Sequence, residues 1–317
     1  MKTYRTTSDQ RNNFHLIGFV FLALLLLAQN SYAQQIDTAK DRVKTDIKIA
    51  LPYLGTVKAR STREIESSNW LLGCETLDRD FADYDQYKEY IAPLGIKRLR
   101  MQAGWARTGR GALWDYDWTE LSQAKWDTRR MLGNLGHDIE SSVFGLIEMA
   151  YTEGPINKLN YKGIIKSDAN KRVIRPKIAY YAIQHVTAIF DHTLERIAGL
   201  EHTRNIVGAG PNEFRYSQTT DRRLAVYGFR HKVTQKQLYA IWMDDSIPTN
   251  SNQTKLQTFS FSNGNFETPV LVDVITGGVY EIPAAKWSKK GNTYTFKEIP
   301  VYDGPIVLGD KSLIPLR

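Results

Sequence analysis

The chain has 317 residues, with 42 Lys and Arg against 34 Asp and Glu, and a single cysteine. One cysteine excludes both an internal disulfide framework and a zinc ribbon, so the fold has to rest on packing. The formal charge of +8 comes from basic residues scattered along the sequence; with no concentrated stripe and no nucleic-acid module, it reads as solvated surface and not as a DNA or RNA footprint.

Residues 1–33 read as an export signal. Lys2, Arg5 and Arg11 form a basic opening, residues 16–28 are an unbroken apolar run of thirteen, and Ser31-Tyr32-Ala33 places small residues where a signal peptidase reads. At about 1.5 Å per residue that run spans about 20 Å, short of a hydrocarbon core of about 30 Å. The expectation is cleavage after Ala33, no membrane span afterwards, and a secreted or periplasmic protein. Cleavage would remove Lys2, Arg5, Arg11 and Asp9, lowering the formal charge from +8 to +6.

From Ser68 to Gly199 strand-like and helix-like stretches alternate. Residues 70–74 predict a strand, 81–94 a helix and 96–102 a second strand, followed by a glycine-rich loop from Gly104 to Gly111. A helix of about seventeen residues is expected from Thr119, with Leu121, Ala124, Thr128, Leu132 and Leu135 on one face and Asp117 and Glu120 placed like a capping box. A strand over 142–150 and a helix over 177–199 complete the stretch. In that last helix Ile178, Tyr181, Ala182, His185, Ile189 and Ile197 share a face, so His185 is read as a packed histidine. Cys74 is read as a buried, inert thiol because no histidine stands near it in sequence. Five of the seven Trp (Trp70, Trp105, Trp114, Trp118, Trp126) fall between residues 70 and 126. Trp105 and Trp114, among Gly and Arg, suit either sugar stacking or core filling, and Trp126 reads as core.

From about Thr203 the period changes to two. Residues 237–243, 256–261, 269–275, 278–282, 293–299 and 305–308 are short strand-like runs separated by Asn, Gly, Pro and Ser, and Thr276-Gly277-Gly278 is a hairpin signal. Six such runs predict a small antiparallel β-sandwich over 203–317.

The runs Asn69-Trp70-Leu71-Leu72-Gly73-Cys74-Glu75-Thr76, Leu94-Gly95-Ile96-Lys97-Arg98-Leu99-Arg100-Met101-Gln102-Ala103-Gly104-Trp105-Ala106-Arg107 and Ile299-Pro300-Val301-Tyr302-Asp303-Gly304-Pro305 resemble a group of exported bacterial glycoside hydrolases. That group belongs to the (β/α)8-barrel clan with β-xylosidase-like enzymes and carries a C-terminal β-sandwich. The first two runs resemble barrel strands one and two. Residues 119–198, with Gln123-Ala124-Lys125-Trp126, Ser141-Ser142-Val143-Phe144 and Pro176-Lys177-Ile178-Ala179-Tyr180-Tyr181, resemble the seventh helix, eighth strand and eighth helix. The resemblance implies α/β plus all-β architecture: an incomplete TIM-type (β/α) barrel remnant over 34–200, then an antiparallel β-sandwich. It implies an oligo- or polysaccharide partner; the scattered charge argues for no nucleic acid, no His, Cys, Asp or Glu spacing resembles a metal site, and no cofactor is expected.

A barrel of this kind needs about 250 residues, whereas Gln34 to Leu200 offers 167. The join falls near Thr108-Gly109-Arg110-Gly111. In the family the general acid stands in an Asn-Glu pair at the end of strand four and the nucleophile Glu at the end of strand seven, and both lie in the stretch that has no counterpart here. Asn212-Glu213, inside the β half, does not match that acid. Glu75 and Glu148, near the carboxyl ends of the first and last barrel-like strands, are the remaining catalytic candidates; such a pair needs about 5–5.5 Å for retention or about 6.5–9.5 Å for inversion. In the family these positions line the cleft. Arg100, Gln102, Trp105 and Arg107 read either as sugar contacts or as a strand end tied to a neighbouring carboxylate.

Two readings follow. In one the chain is a glycoside hydrolase by descent with impaired or absent catalysis; in the other it is a non-catalytic carbohydrate-binding or structural remnant. A surviving sheet ordered two, one, eight would need one left-handed crossover, against the right-handed rule. Limited proteolysis is therefore expected to leave a C-terminal fragment beginning between Lys177 and Arg204.

Overall fold

The computed structural model describes residues 47–66, 72–76, 84–96, 98–101, 119–153, 156–168, 170, 172–203, 213–220 and 223–317. The export signal, Trp70, Trp105, Trp114, Trp118 and the glycine-rich stretch 104–111 lie outside the described residues. The elements in chain order are β1 (Tyr53–Thr56), β2 (Leu72–Thr76), α1 (Tyr84–Ile91), β3 (Arg98–Met101), α2 (Glu120–Gly136), β4 (Ser141–Phe144), β5 (Met149–Glu153), β6 (Ile156–Asn160), β7 (Ile165–Ser167), β8 (Val173–Pro176) and α3 (Ile178–Ile189). They continue with β9 (Leu194–Arg196), β10 (Glu201–His202), β11 (Arg215–Gln218), β12 (Leu224–His231), β13 (Gln237–Met243), β14 (Lys255–Phe261) and β15 (Pro269–Asp273). The last are β16 (Gly278–Glu281), β17 (Trp287–Lys290), β18 (Thr293–Val301) and β19 (Ile306–Asp310). The fold is β-rich, with a small helical layer, and among the described residues no barrel closes.

Two sheets dominate. One has the order β1-β16-β15-β19-β13-β12-β9 and the other β10-β11-β14-β18-β17. β13 is buried along its whole length, as suits a near-continuous apolar run in a central strand covered on both faces. The sheets meet through aromatic rings: Tyr239 of β13 stacks on Phe261 of β14 at 3.9 Å, and Phe266 packs edge-on to Phe296 of β18 at 5.1 Å. The seven-stranded sheet takes both of its edge strands from before residue 200. β1 pairs antiparallel with β16, and β9 with β12.

A separate three-stranded sheet, β3-β2-β4, is parallel throughout. α3 lies at the centre of the helical layer. On one side Tyr180 donates to Tyr90 O at 2.6 Å, Gln184 to Pro93 O at 2.7 Å and Thr187 to Leu94 O at 2.9 Å; on the other it packs along α2.

Helix and sheet layers are joined at two points. His185 of α3 is buried, with Nδ1 2.8 Å from Val274 O, and its ring lies over the turn between β15 and β16. That turn is held by the Asp273 carboxylate, which accepts from the Thr276 N–H at 3.0 Å and from the Thr276 hydroxyl. Gly277 in it has φ +74°, and a Cβ there would stand 2.4 Å from His185 Nε2. The second joint is Lys125 of α2, whose fully buried ammonium donates to Thr249 O at 2.9 Å, Ser251 O at 2.5 Å and Asp303 Oδ1 at 2.7 Å.

Several expectations are corrected. The cap of α2 is Thr119, not Asp117 with Glu120: Ser122 N–H donates to Thr119 Oγ1 at 3.2 Å and Thr119 N–H to Ser122 Oγ at 3.0 Å, since a hydroxyl immediately before the helix reaches the free N–H groups. The strand expected over 142–150 is two: β4 stops at Phe144, and Met149 starts a hairpin with β6. The helix expected to run to Gly199 ends at Ile189; Asp191 then accepts from the Thr193 N–H and hydroxyl, and the chain enters β9. Trp126 is 43% exposed on α2 and is no part of the core. His185 and Cys74 are buried as expected. One hydrophobic core runs from Val57 to Ile314 through both regions.

Replacing Gly277 by Ala is expected to lower stability by about 2–4 kcal/mol, from positive φ and from displacement of the His185 ring. Urea unfolding of the variant beside the parent protein checks this, and a difference under about 0.5 kcal/mol would contradict the turn packing.

Candidate functional site

The site follows from the carboxyl edge of the parallel sheet, where side chains from neighbouring strands converge in α/β folds. In register, Glu75 of β2 stands opposite Arg100 of β3 on one side and Phe144 of β4 on the other. The backbone thus brings two of the sequence candidates onto adjacent strands. Gln102, Trp105 and Arg107 lie outside the described residues.

Glu148 sits four residues beyond the end of β4, in a segment whose N–H donates to Ile165 O at 3.0 Å. Its side chain is buried. Oε1 accepts from Lys177 Nζ at 2.9 Å, Oε2 accepts from the Ser167 N–H at 3.3 Å, and the Ser167 hydroxyl donates back to Glu148 O at 2.7 Å. Lys177, just before α3, gives its other two protons to Tyr161 O and Gly163 O, each at 2.8 Å. Gly163 is required here, because a Cβ would fall 2.0 Å from Glu148 N. Burial pulls the Lys177 ammonium below its ordinary value, and the Glu148 carboxylate partly restores it.

The first two turns of α2 close the cluster from the other side. Gln123 Nε2 donates to Lys162 O at 2.6 Å and to Gly163 O at 3.3 Å. Glu120 receives both guanidinium arms of Arg175, at 2.7 and 3.0 Å. Burial would raise the Glu120 carboxyl, but the Arg175 hydrogen bonds and charge outweigh it and hold it low. Asp127 differs: its residue keeps some exposed surface, yet its Oδ2 is buried with no hydrogen-bond partner, and burial pushes the carboxyl up to about 7 against the opposing pull of Lys177 and Arg130. Gln123 Oε1, one helical turn away, is likewise buried without a partner.

Chemically, Glu148 is committed to a buried ion pair with Lys177. Among the described residues no three His, Cys, Asp or Glu side chains converge as a metal site. Nor is any helix among them long and apolar enough to cross a membrane. Sequence reading missed Lys177, Gln123 and Asp127 as members of the cluster. The 29-residue separation of Lys177 from Glu148 leaves no local signal, whereas the i, i+4 spacing of Gln123 and Asp127 was available as one. No protein-family model matches the chain, and no curated protein matches it.

Asp127→Asn tests the cluster through pH. The folded protein holds the Asp127 proton up to about 7, while an unfolded chain releases it near the ordinary aspartate value of about 4. Between these values the folded state binds more protons, so the parent protein loses stability as pH rises through that window and does not regain it above. Asn carries no such penalty. Its stability relative to the parent is expected to rise by about 1–3 kcal/mol between pH 4 and pH 7 and then level off, measured by urea unfolding across pH. A pH-independent difference would contradict the buried proton.

Proposed function

We propose that this chain is an exported, glycoside-hydrolase-like protein that recognises oligo- or polysaccharide without cleaving it. The observation that carries the reading is the strand order β3-β2-β4, all parallel, which is the order that barrel strands two, one and eight would hold if the intervening units were absent. Two mostly antiparallel sheets, built largely from residues after 203, support reading that part as the family's β-sandwich, with α3 beside it as the counterpart of an eighth barrel helix. On this reading the parallel sheet is an incomplete TIM-type barrel remnant, and residues 1–33 direct it to the periplasm or the exterior.

The absence of catalysis follows from the carboxylates. Glycosidic cleavage needs one protonated and one ionised carboxyl flanking the scissile bond. Glu148 is buried in an ion pair with Lys177 inside the protein, and on this reading no segment corresponds to the acid or nucleophile of the family. Arg100 on β3, with Gln102, Trp105 and Arg107 after it, would serve as saccharide contacts.

Purified protein is expected to release no product above background from aryl-β-xylosides or aryl-β-glucosides, while being retarded in gels containing soluble xylan. Turnover that disappears in Glu75→Gln or Glu148→Gln would overturn the non-catalytic reading.

A further inference from the structure

The outer face of the five-stranded sheet differs from the rest of the surface. Opposite residues in adjacent strands point to the same side of a sheet, and the register aligns Ser217 of β11 with Ser260 of β14, Ser260 with Thr295 of β18, and Thr295 with Ser288 of β17. The row is hydroxyl across four strands, about 14 Å at the usual strand spacing. Ser260 and Thr295 are already within hydrogen-bond distance, at 2.8 Å. Their strand neighbours Phe259, Phe261, Tyr294 and Phe296 are all buried on the inner face, so the hydroxyls look outward.

Charge on the same strands is one-sided. Lys290 and Lys297 are exposed and share the outward parity of Ser288 and Thr295. Against these stand Glu201, on the far edge strand β10, and Glu298, which Lys286 neutralises at 2.6 Å. Among the described residues the face is therefore rich in hydroxyls and net positive, and presents none of the large aromatic rings that stack on neutral sugars.

We infer that this face docks an acidic polysaccharide, an extended chain bearing carboxylate or sulfate groups laid across the strands along the Ser217–Ser288 row. The hydroxyls exchange hydrogen bonds with ring and hydroxyl oxygens of the sugar, and Lys290 and Lys297 meet its anionic groups. The inference deepens the proposed saccharide recognition and rests on it, but it assigns that recognition to a different surface from the parallel sheet.

The test is affinity electrophoresis of the full chain at low salt with polygalacturonate, neutral xylan or duplex DNA, using Lys290→Glu/Lys297→Glu and Ser260→Ala/Thr295→Ala beside the parent protein. Polygalacturonate affinity is expected to fall about tenfold or more in the charge-reversed variant, and several-fold in the alanine variant, whose charge is unchanged. Thermal unfolding of both variants guards against misfolding; if either is destabilised, single Lys297→Gln, with an expected smaller loss, replaces it. Polygalacturonate binding that is absent, or unmoved by these substitutions, overturns the inference, and retained xylan binding would then leave the broader saccharide reading standing. Failure with both polysaccharides removes both. Duplex DNA binding as tight as polygalacturonate, and equally sensitive, would also overturn it, showing an unselective cationic surface.

Discussion

The arrangement depends on one buried charge. Lys125 is enclosed on α2, and its ammonium finds two loop carbonyls and the Asp303 carboxylate. Asp303 in turn accepts from the Thr249 N–H at 2.7 Å and hydroxyl at 2.9 Å. Burial depresses the lysine, and Asp303 offsets part of that penalty. A buried pair is weak evidence of net stabilisation, because desolvation consumes much of the Coulomb gain. It is stronger as a constraint on geometry, since any rotation of α2 would strand a charge in an apolar interior. At 100° per residue, Gln123 and Asp127 each lie about 200° from Lys125. Fixing Lys125 against the sheet loops therefore points the opposite face of α2 at the β6–β8 hairpins, where Glu120, Gln123 and Asp127 meet Arg175, Lys162 and Lys177.

The same geometry explains what could be read from the sequence. The apolar stripe of α2 was legible because Ala124, Thr128, Leu132 and Leu135 repeat at helical spacing, and all four are buried. Lys125 was not, since nothing in a local pattern distinguishes a lysine with three distant oxygen ligands from one in water. All six C-terminal runs coincide with observed strands to within two residues at either end. The seventh long strand, β12, was missed: its burial does not alternate, and Gly228 sits in its middle against the Tyr239 ring. β1 and β9 could not be read at all. They are three- and four-residue segments whose strand character comes wholly from partners far along the chain.

For the candidate site the sequence supplied names but not roles. Glu148 was singled out as a carboxylate near a strand end, and it is there, but Lys177 and Ser167 surround it. The end of β4 at Phe144 moves Glu148 off the strand and into a segment braced by Ile165 and Gly163. A carboxylate in such a setting orders two hairpins and the start of α3, which is a positional task rather than a chemical one.

The place of β19 in its sheet carries a consequence for synthesis. It is the last strand in sequence, yet it lies between β15 and β13, at the middle of seven strands. A chain leaving the ribosome can form the β12–β13 and β15–β16 hairpins early, because their partners are close in sequence. The two hairpins then face each other across a gap with open edges until residues 306–310 arrive. During that interval two apolar strand edges are available to any neighbouring chain, the condition under which β-proteins aggregate or exchange strands. Completion of this sheet is thus a late insertion, made after both of its neighbours are already in place.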